Sequence, residues 1–204
     1  MSAAERLRSA APLRRVLISD DDALIRMDLA EMLVEEGFDV VGQAGNGDLA
    51  AALAVELRPD LVILDVKMPG KDGIAVAAEI AGQQIAPVII LTAYSDRELI
   101  QRALDAGAMT YLAKPFTSAT LLPAMELAAA RYAETVELRA AVADANERLL
   151  ARKVIDRAKG VLMTQAKMTE PQAFRWLQQT AMDRKTSLDS VARDVIERPL
   201  ASAS

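Results

Sequence analysis

The chain has 204 residues, 52% hydrophobic and 26% charged, with a formal net charge of −5. This is globular composition without a disorder signature, and the length suits two domains or one domain with a sizeable appendage. Only 3% of residues are aromatic, so the expected core is Ala, Leu, Val and Ile and largely helical. Cysteine and histidine are both absent, which excludes disulfides, thiolate zinc sites, Ser-His-Asp chemistry, imidazole metal ligation and a phosphohistidine on this chain. Any metal must then be a hard, oxygen-loving ion such as magnesium.

No apolar run approaches the ~18 residues of a membrane span. Residues 1–13 lack the unbroken apolar stretch of a signal peptide. The expectation is a soluble protein of the cytoplasm with no membrane partner.

After a flexible N-terminus over 1–14, five short apolar runs follow: Val16-Leu17-Ile18, Phe38-Asp39-Val40-Val41, Leu61-Val62-Ile63-Leu64, Pro87-Val88-Ile89-Ile90-Leu91 and Thr110-Tyr111-Leu112-Ala113. Runs this short and this apolar predict strands covered on both faces of a parallel sheet. Ala-rich amphipathic stretches lie between them, with Gly37 and Gly107 where left-handed C-caps would end helices. Ser95, with Glu98 three residues on, reads as a capping box for the fourth helix. Five β–α units predict an α/β doubly wound, flavodoxin-like, five-stranded parallel sheet of order 2-1-3-4-5.

No strand candidate follows Phe116. A long Ala-rich helix is predicted from Ser118 to about 150, including a 133–150 linker. Leu138, Val142, Ala145 and Leu149 are spaced 4, 3 and 4, which fits either a weak coiled coil or packing of the helix on its own sheet. Over 151–198 three short helices form an all-α bundle. Val154, Ala158, Val161 and Leu162 mark the first. Thr169, Pro171 and Gln172 open the second, whose apolar stripe is Ala173, Phe174, Leu177 and Ala181. Leu188, Val191, Ala192, Val195 and Ile196 mark the third. Residues 199–204 read as a frayed tail. Charge divides likewise, since residues 150–198 carry 10 Lys and Arg against 6 Asp and Glu, leaving 14 against 23 elsewhere. A basic bundle on an acidic carrier suggests a regulatory module joined to one for an anionic partner.

In an open parallel sheet, ligands sit beyond the carboxyl ends of the strands. Strand one leads into Asp20-Asp21-Asp22, strand three into Asp65, strand four into Thr92 and strand five into Lys114. Carboxylates drawn together repel one another, and a hard divalent cation relieves them. Magnesium also pairs with phosphoryl oxygens. A lysine ammonium and a threonine hydroxyl opposite complete what a phosphoryl group on one carboxylate needs. Asp65, central at the end of the most apolar strand, is the expected acceptor. Asp22 is read as the cap of the first helix rather than a ligand. Thr92 or Lys114 alone would be unremarkable; the joint pattern carries the assignment.

Val16-Leu17-Ile18-Ser19-Asp20-Asp21-Asp22, Leu64-Asp65-Val66-Lys67-Met68-Pro69-Gly70-Lys71-Asp72-Gly73, Leu91-Thr92-Ala93 and Lys114-Pro115-Phe116 resemble a bacterial response-regulator receiver domain over 15–132. The resemblance implies that Asp65 accepts a phosphoryl group from the phosphohistidine of a sensor histidine kinase. It implies an acidic pair, Asp20 and Asp21, and magnesium held by Asp21, Asp65 and the backbone carbonyl of Lys67. Thr92 and Lys114 would contact the phosphoryl oxygens. Tyr111 matches the family's aromatic switch residue beside Thr92, with packing on strand five as the alternative. A cis peptide before Pro115 is implied as well.

Arg152-Lys153-Val154-Ile155-Asp156-Arg157-Ala158-Lys159-Gly160-Val161-Leu162-Met163, Ala173-Phe174-Arg175-Trp176-Leu177 and Ala181-Met182-Asp183-Arg184-Lys185 resemble the ANTAR output domain, a family that binds RNA and prevents premature transcription termination. The whole chain is thus similar to two-component antitermination regulators of actinobacterial type. The resemblance implies RNA hairpins in nascent transcripts as partners, with RNA polymerase an indirect one; the weak seam of Leu138, Val142, Ala145 and Leu149 leads to the expectation of a homodimer formed from monomers on phosphorylation. Arg152, Lys153, Arg157 and Lys159 can meet phosphates, with Arg175, Arg184 and Lys185 extending the positive surface. Trp176 is read as core rather than a base-stacking platform.

Two other classes compete. A DNA-binding transcription factor could use the three helices, but the last carries Asp189, Asp194 and Glu197, poor company in a major groove. A phosphatase of the haloacid-dehalogenase type needs a second acid two positions after its nucleophile, where Lys67 stands. The expected protein is a phosphoacceptor and regulator, limited to magnesium-dependent self-phosphorylation and slow autodephosphorylation.

Overall fold

The structure, a computed structural model, describes residues 13–93 and 97–197. The Ser95 cap, most of the 1–14 segment and the 199–204 tail lie outside the described residues. In chain order the elements are β1 (Arg15–Ser19), α1 (Ala23–Glu35), β2 (Asp39–Ala44), α2 (Gly47–Leu57), β3 (Leu61–Asp65), α3 (Gly73–Gly82), β4 (Val88–Thr92), α4 (Arg97–Asp105), β5 (Thr110–Ala113), α5 (Ser118–Gln165), α6 (Glu170–Asp183) and α7 (Leu188–Glu197). The chain divides into two compact units between Val136 and Glu137.

In the first unit all strand pairs are parallel, in the order β2-β1-β3-β4-β5. Side chains alternate across a strand, and the sheet uses both faces. Leu17, Val62, Leu64, Val88 and Ile90 pack with Ala50, Ala54, Val76 and Ile80 of α2 and α3. Val16, Ile18, Leu61, Ile63, Ile89 and Leu91 pack with Leu29 and Leu33 of α1 and Leu121 and Met125 of α5. Full burial of each such Val, Leu, Ile or Met side chain contributes about 1.5–3 kcal/mol. The expected two-sided cover holds for β1, β3 and β4 only. β2 and β5, at the sheet edges, are partly exposed, because an edge strand has a neighbour on one side alone.

Caps explain where helices begin. Asp22, Asn46 and Asp72 precede α1, α2 and α3, and their side chains accept from the N–H groups of Leu24, Leu49 and Ala75 at 2.7–2.8 Å. Gly37 and Gly107 end helices with φ of +86° and +100°. At the start of α6, Gln172 Oε1 accepts from the Thr169 N–H at 2.8 Å.

In the second unit Ala158, Leu162, Ala173, Leu177, Val191, Ala192 and Val195 form the core. One expectation needs correction here. The first of the three short helices is not separate, because α5 runs unbroken from Ser118 to Gln165. No glycine or proline interrupts residues 124–159, so nothing stops the helix. Along α5, Leu138, Val142 and Leu149 are more than half exposed, and Ala145 is exposed too. A second correction concerns α6. Phe174 is exposed, while Trp176 is half-buried against the bundle core.

Candidate functional site

Strand register assembles the first site. Ser19 pairs with Leu64, Asp65 with Leu91, and Thr92 with Ala113. Each functional residue therefore stands level with, or one step beyond, the end of its neighbour strand. Asp20, Asp21, Asp65, Lys67, Thr92 and Lys114 all line one cavity of about 330 Å³.

Within it, Lys114 Nζ donates to Asp65 Oδ1 at 2.6 Å and to Asp20 Oδ2. Asp65 Oδ2 accepts from the Lys67 N–H at 2.7 Å, and Asp20 Oδ1 from the Asp22 N–H at 3.0 Å. Asp20 and Asp65 are buried and Asp21 is exposed. Carboxylate oxygens of these three residues lie within 4.8 Å of one another. Four aspartates, Asp20, Asp21, Asp22 and Asp65, against two lysines, Lys67 and Lys114, leave the cavity lining negative. Burial pushes the Asp65 carboxyl above its usual range against the pull of Lys114, and the charge of Asp20 adds to the rise. Burial opposes the charge on Lys114, but its bonds to Asp20 and Asp65 outweigh that and hold its ammonium above the usual value. This donor set, all oxygen and over-negative, fits a hard divalent cation.

Thr92 ends β4 and is buried. Tyr111 on β5 is 41% exposed, so it is not core packing. The Lys114–Pro115 peptide is cis. Two residues were missed from sequence. Arg26 on α1 donates from Nη1 to the Asp20 carbonyl oxygen. Gly73 opens α3 so close to Asp65 that a Cβ there would stand 1.9 Å from the Asp65 carbonyl oxygen. The Asp72-Gly73 pair marks a helix start, whereas nothing local marks Arg26.

The basic residues of the second unit divide into two groups. Arg152, Lys153, Arg157, Arg175 and Lys185 are exposed. Lys159 is only 16% exposed at its side chain, held at 2.7 Å by both Asp156 and Glu170, so it ties α5 to the start of α6. Both bonds raise the Lys159 ammonium above its usual value, and the bond to Lys159 lowers the Asp156 carboxyl below its own. Arg184 lies 3.3 Å from Asp194 on α7.

A doubly wound sheet with an acid cluster and a lysine at its strand ends defines a receiver module. Residues 16–126 match the response regulator receiver domain and 143–196 match the ANTAR domain. The chain belongs to the response-regulator family, in the form that carries an ANTAR output domain. It is 57% identical over 188 residues to the transcriptional regulatory protein PdtaR of Mycobacterium tuberculosis, covering 92% of each chain. Among solved structures, it resembles the receiver domain of a modulated diguanylate cyclase from Desulfovibrio desulfuricans (35% identity, TM-score 0.56, 60% of this chain and 98% of that one). It also resembles the Borrelia burgdorferi CheX–CheY–BeF3–magnesium complex (30% identity, TM-score 0.53, 55% of this chain and 86% of that one). Among the described residues no helix is long and apolar enough to cross a membrane.

Proposed function

We propose that this protein takes a phosphoryl group on Asp65 from a sensor histidine kinase and, in response, binds RNA hairpins in nascent transcripts so that termination is prevented. The reading places it in the cytoplasm, with RNA polymerase affected indirectly. The observation that supports it most is the convergence of Asp20, Asp21, Asp65 and Lys114 on one cavity in a chain that also carries a basic ANTAR bundle.

An Asp65 carboxylate oxygen attacks phosphorus, the P–O bond forms as the P–N bond to the kinase imidazole breaks, and the imidazole leaves. Lys114, freed from Asp65 Oδ1, pairs with a phosphoryl oxygen, and the Thr92 hydroxyl donates to another. Magnesium would be held by Asp21, Asp65 and the Lys67 carbonyl beside Asp20, and when bound it neutralises phosphoryl charge. The catalysis is positioning and charge neutralisation. Arg152, Lys153, Arg157, Arg175 and Lys185 supply phosphate contacts. Lys159 and Arg184, already met by carboxylates, contribute less.

A phosphoryl group adds roughly −1.5 to −2 charges, and drawing Thr92 inward gives Tyr111 room to turn in. The exposed seam of Leu138, Val142, Ala145 and Leu149 then associates with a second copy. A short, Ala-containing seam is weak alone, which suits a switch worth about 1–3 kcal/mol of coupling.

The test is crosslinking and sequencing of bound RNA with and without an acyl-phosphate donor, beside a salt-matched gel shift against promoter DNA. Hairpins enriched on phosphorylation support the reading; tighter binding to the DNA transfers it to a DNA-binding regulator. Sedimentation with and without beryllofluoride reads the dimer, and equal masses would remove it.

A further inference from the structure

A glycine inside a helix is destabilising relative to alanine, and it persists where a neighbour leaves no room for a side chain. Gly160, well inside α5, has no such neighbour, for a Cβ there would meet nothing within 4 Å. The packing of the bundle therefore gives no reason for a glycine at this position. At about 100° per residue, Gly160 points away from Ala158 and Leu162, which are fully buried. Lys153, Arg157 and Thr164 lie seven and three residues before it and four after it, so they share its outward face. Lys153 and Arg157 are exposed and, among the described residues, neither enters an ion pair. Thr164 Oγ1 donates to the Gly160 carbonyl oxygen at 2.9 Å. Its proton is thereby committed, and its lone pairs are open to an outside donor.

We propose that this face, Lys153–Arg157–Gly160–Thr164, seats the sugar–phosphate backbone of the RNA, with Gly160 as the point of closest approach. The proposal rests on the RNA-binding reading above. Two cations a turn apart can meet successive phosphates. Bare backbone at Gly160 lets a ribose lie against the helix. One turn on, Thr164 Oγ1 accepts from a 2′-hydroxyl, the group that separates RNA from DNA. Met163, three residues after Gly160, and the Asp156 carboxylate, four before it, flank this face and are exposed, but the four positions named carry two cations, a glycine and a threonine, so a second copy seated on them would oppose Lys153 and Arg157 of one chain to those of the other. A glycine that weakens the fold is what close approach by a ligand requires.

The test uses the full chain and a hairpin RNA that the wild type enriches from a pool with a constant stem and a randomised loop, with the DNA hairpin of the same sequence as control. Gly160→Ala should unfold at a higher temperature than the wild type yet bind the RNA at least about ten-fold more weakly, with an unchanged salt slope. Gly160→Leu should bind more weakly still. Thr164→Val should lose preference for RNA over DNA, and Arg157→Ala should flatten the salt slope by about 1. Wild-type affinity in both glycine variants overturns the proposal, as does a lower unfolding temperature for Gly160→Ala, which would show that the glycine serves the fold. Weaker self-association with unchanged RNA affinity assigns the face to a second copy and also overturns it. If the wild type enriches no hairpin, the RNA-binding reading fails and this proposal with it; enrichment that the glycine variants leave untouched removes this proposal alone.

Discussion

Lys114 Nζ donates to Asp65 Oδ1 at 2.6 Å while also donating to Asp20 Oδ2, so one ammonium serves two buried carboxylates. It occupies the charge balance that a divalent cation would otherwise complete alone. Lys114→Met should therefore tighten magnesium binding by about ten-fold, since it removes a positive charge a few ångströms from the ion. The metal-free variant should unfold earlier than the wild type, because its two carboxylates lose their partner. Isothermal titration with magnesium reads the first effect and thermal unfolding the second. Weaker magnesium binding would show that Lys114 does not compete with the ion.

Asp65 has a defined pH signature. Burial, with Asp20 beside it, raises its folded-state pKa above the unfolded value. At neutral pH the ionised group therefore costs stability, and that stability returns as pH falls through the folded pKa towards the unfolded one. Asp65→Asn should raise the unfolding temperature of the metal-free protein at pH 7, with the gap closing under acid. The same variant should take no label from an acyl-phosphate donor. Labelled Asp65→Asn would move the acceptor elsewhere.

Gly73 and Gly82 bound the same helix and should respond oppositely to alanine. At Gly73 the new Cβ would press on the Asp65 carbonyl, whereas at Gly82 it meets nothing within 4 Å. Gly73→Ala should cost about 1–3 kcal/mol of overpacking and weaken magnesium binding. Gly82→Ala should be neutral or stabilising by up to about 1 kcal/mol. Urea unfolding with a magnesium titration checks both.

In the bundle, Trp176→Ala should destabilise by about 2–3 kcal/mol, discounted from a fully buried ring. Phe174→Ala should cost under about 1 kcal/mol. Equal losses in urea would put both rings in the core.

The strands and the acid–lysine cluster were legible because both depend on local runs and on a topology that places strand ends together. Asp22 was legible as a cap for the same reason, its side chain reaching only to Leu24. What was not legible depends on partners far along the chain. Lys159 reads as one more exposed cation until Glu170, eleven residues on, closes on it. Ala173, Leu177 and Ala181 define a stripe whose flanks hold both aromatic rings, and the side that turns inward is set by what α5 and α7 offer. The continuity of α5 was visible in the lack of glycine and proline between Pro123 and Gly160, although a separate short helix was expected from residue 151.

The stepped strand register described above has a consequence for how the receiver can vary. Four strands act as a ruler for the cavity, so a single-residue deletion within β3 would carry Asp65 about 3.3 Å back along the strand and turn it to the other face. The connections at the opposite, amino ends of the strands, residues 36–38, 58–60, 83–87 and 106–109, take no part in that measurement. Insertions there should leave phosphoacceptor chemistry intact, which makes that end of the sheet the natural place for lineages to diverge and for a fluorescent tag to be spliced in.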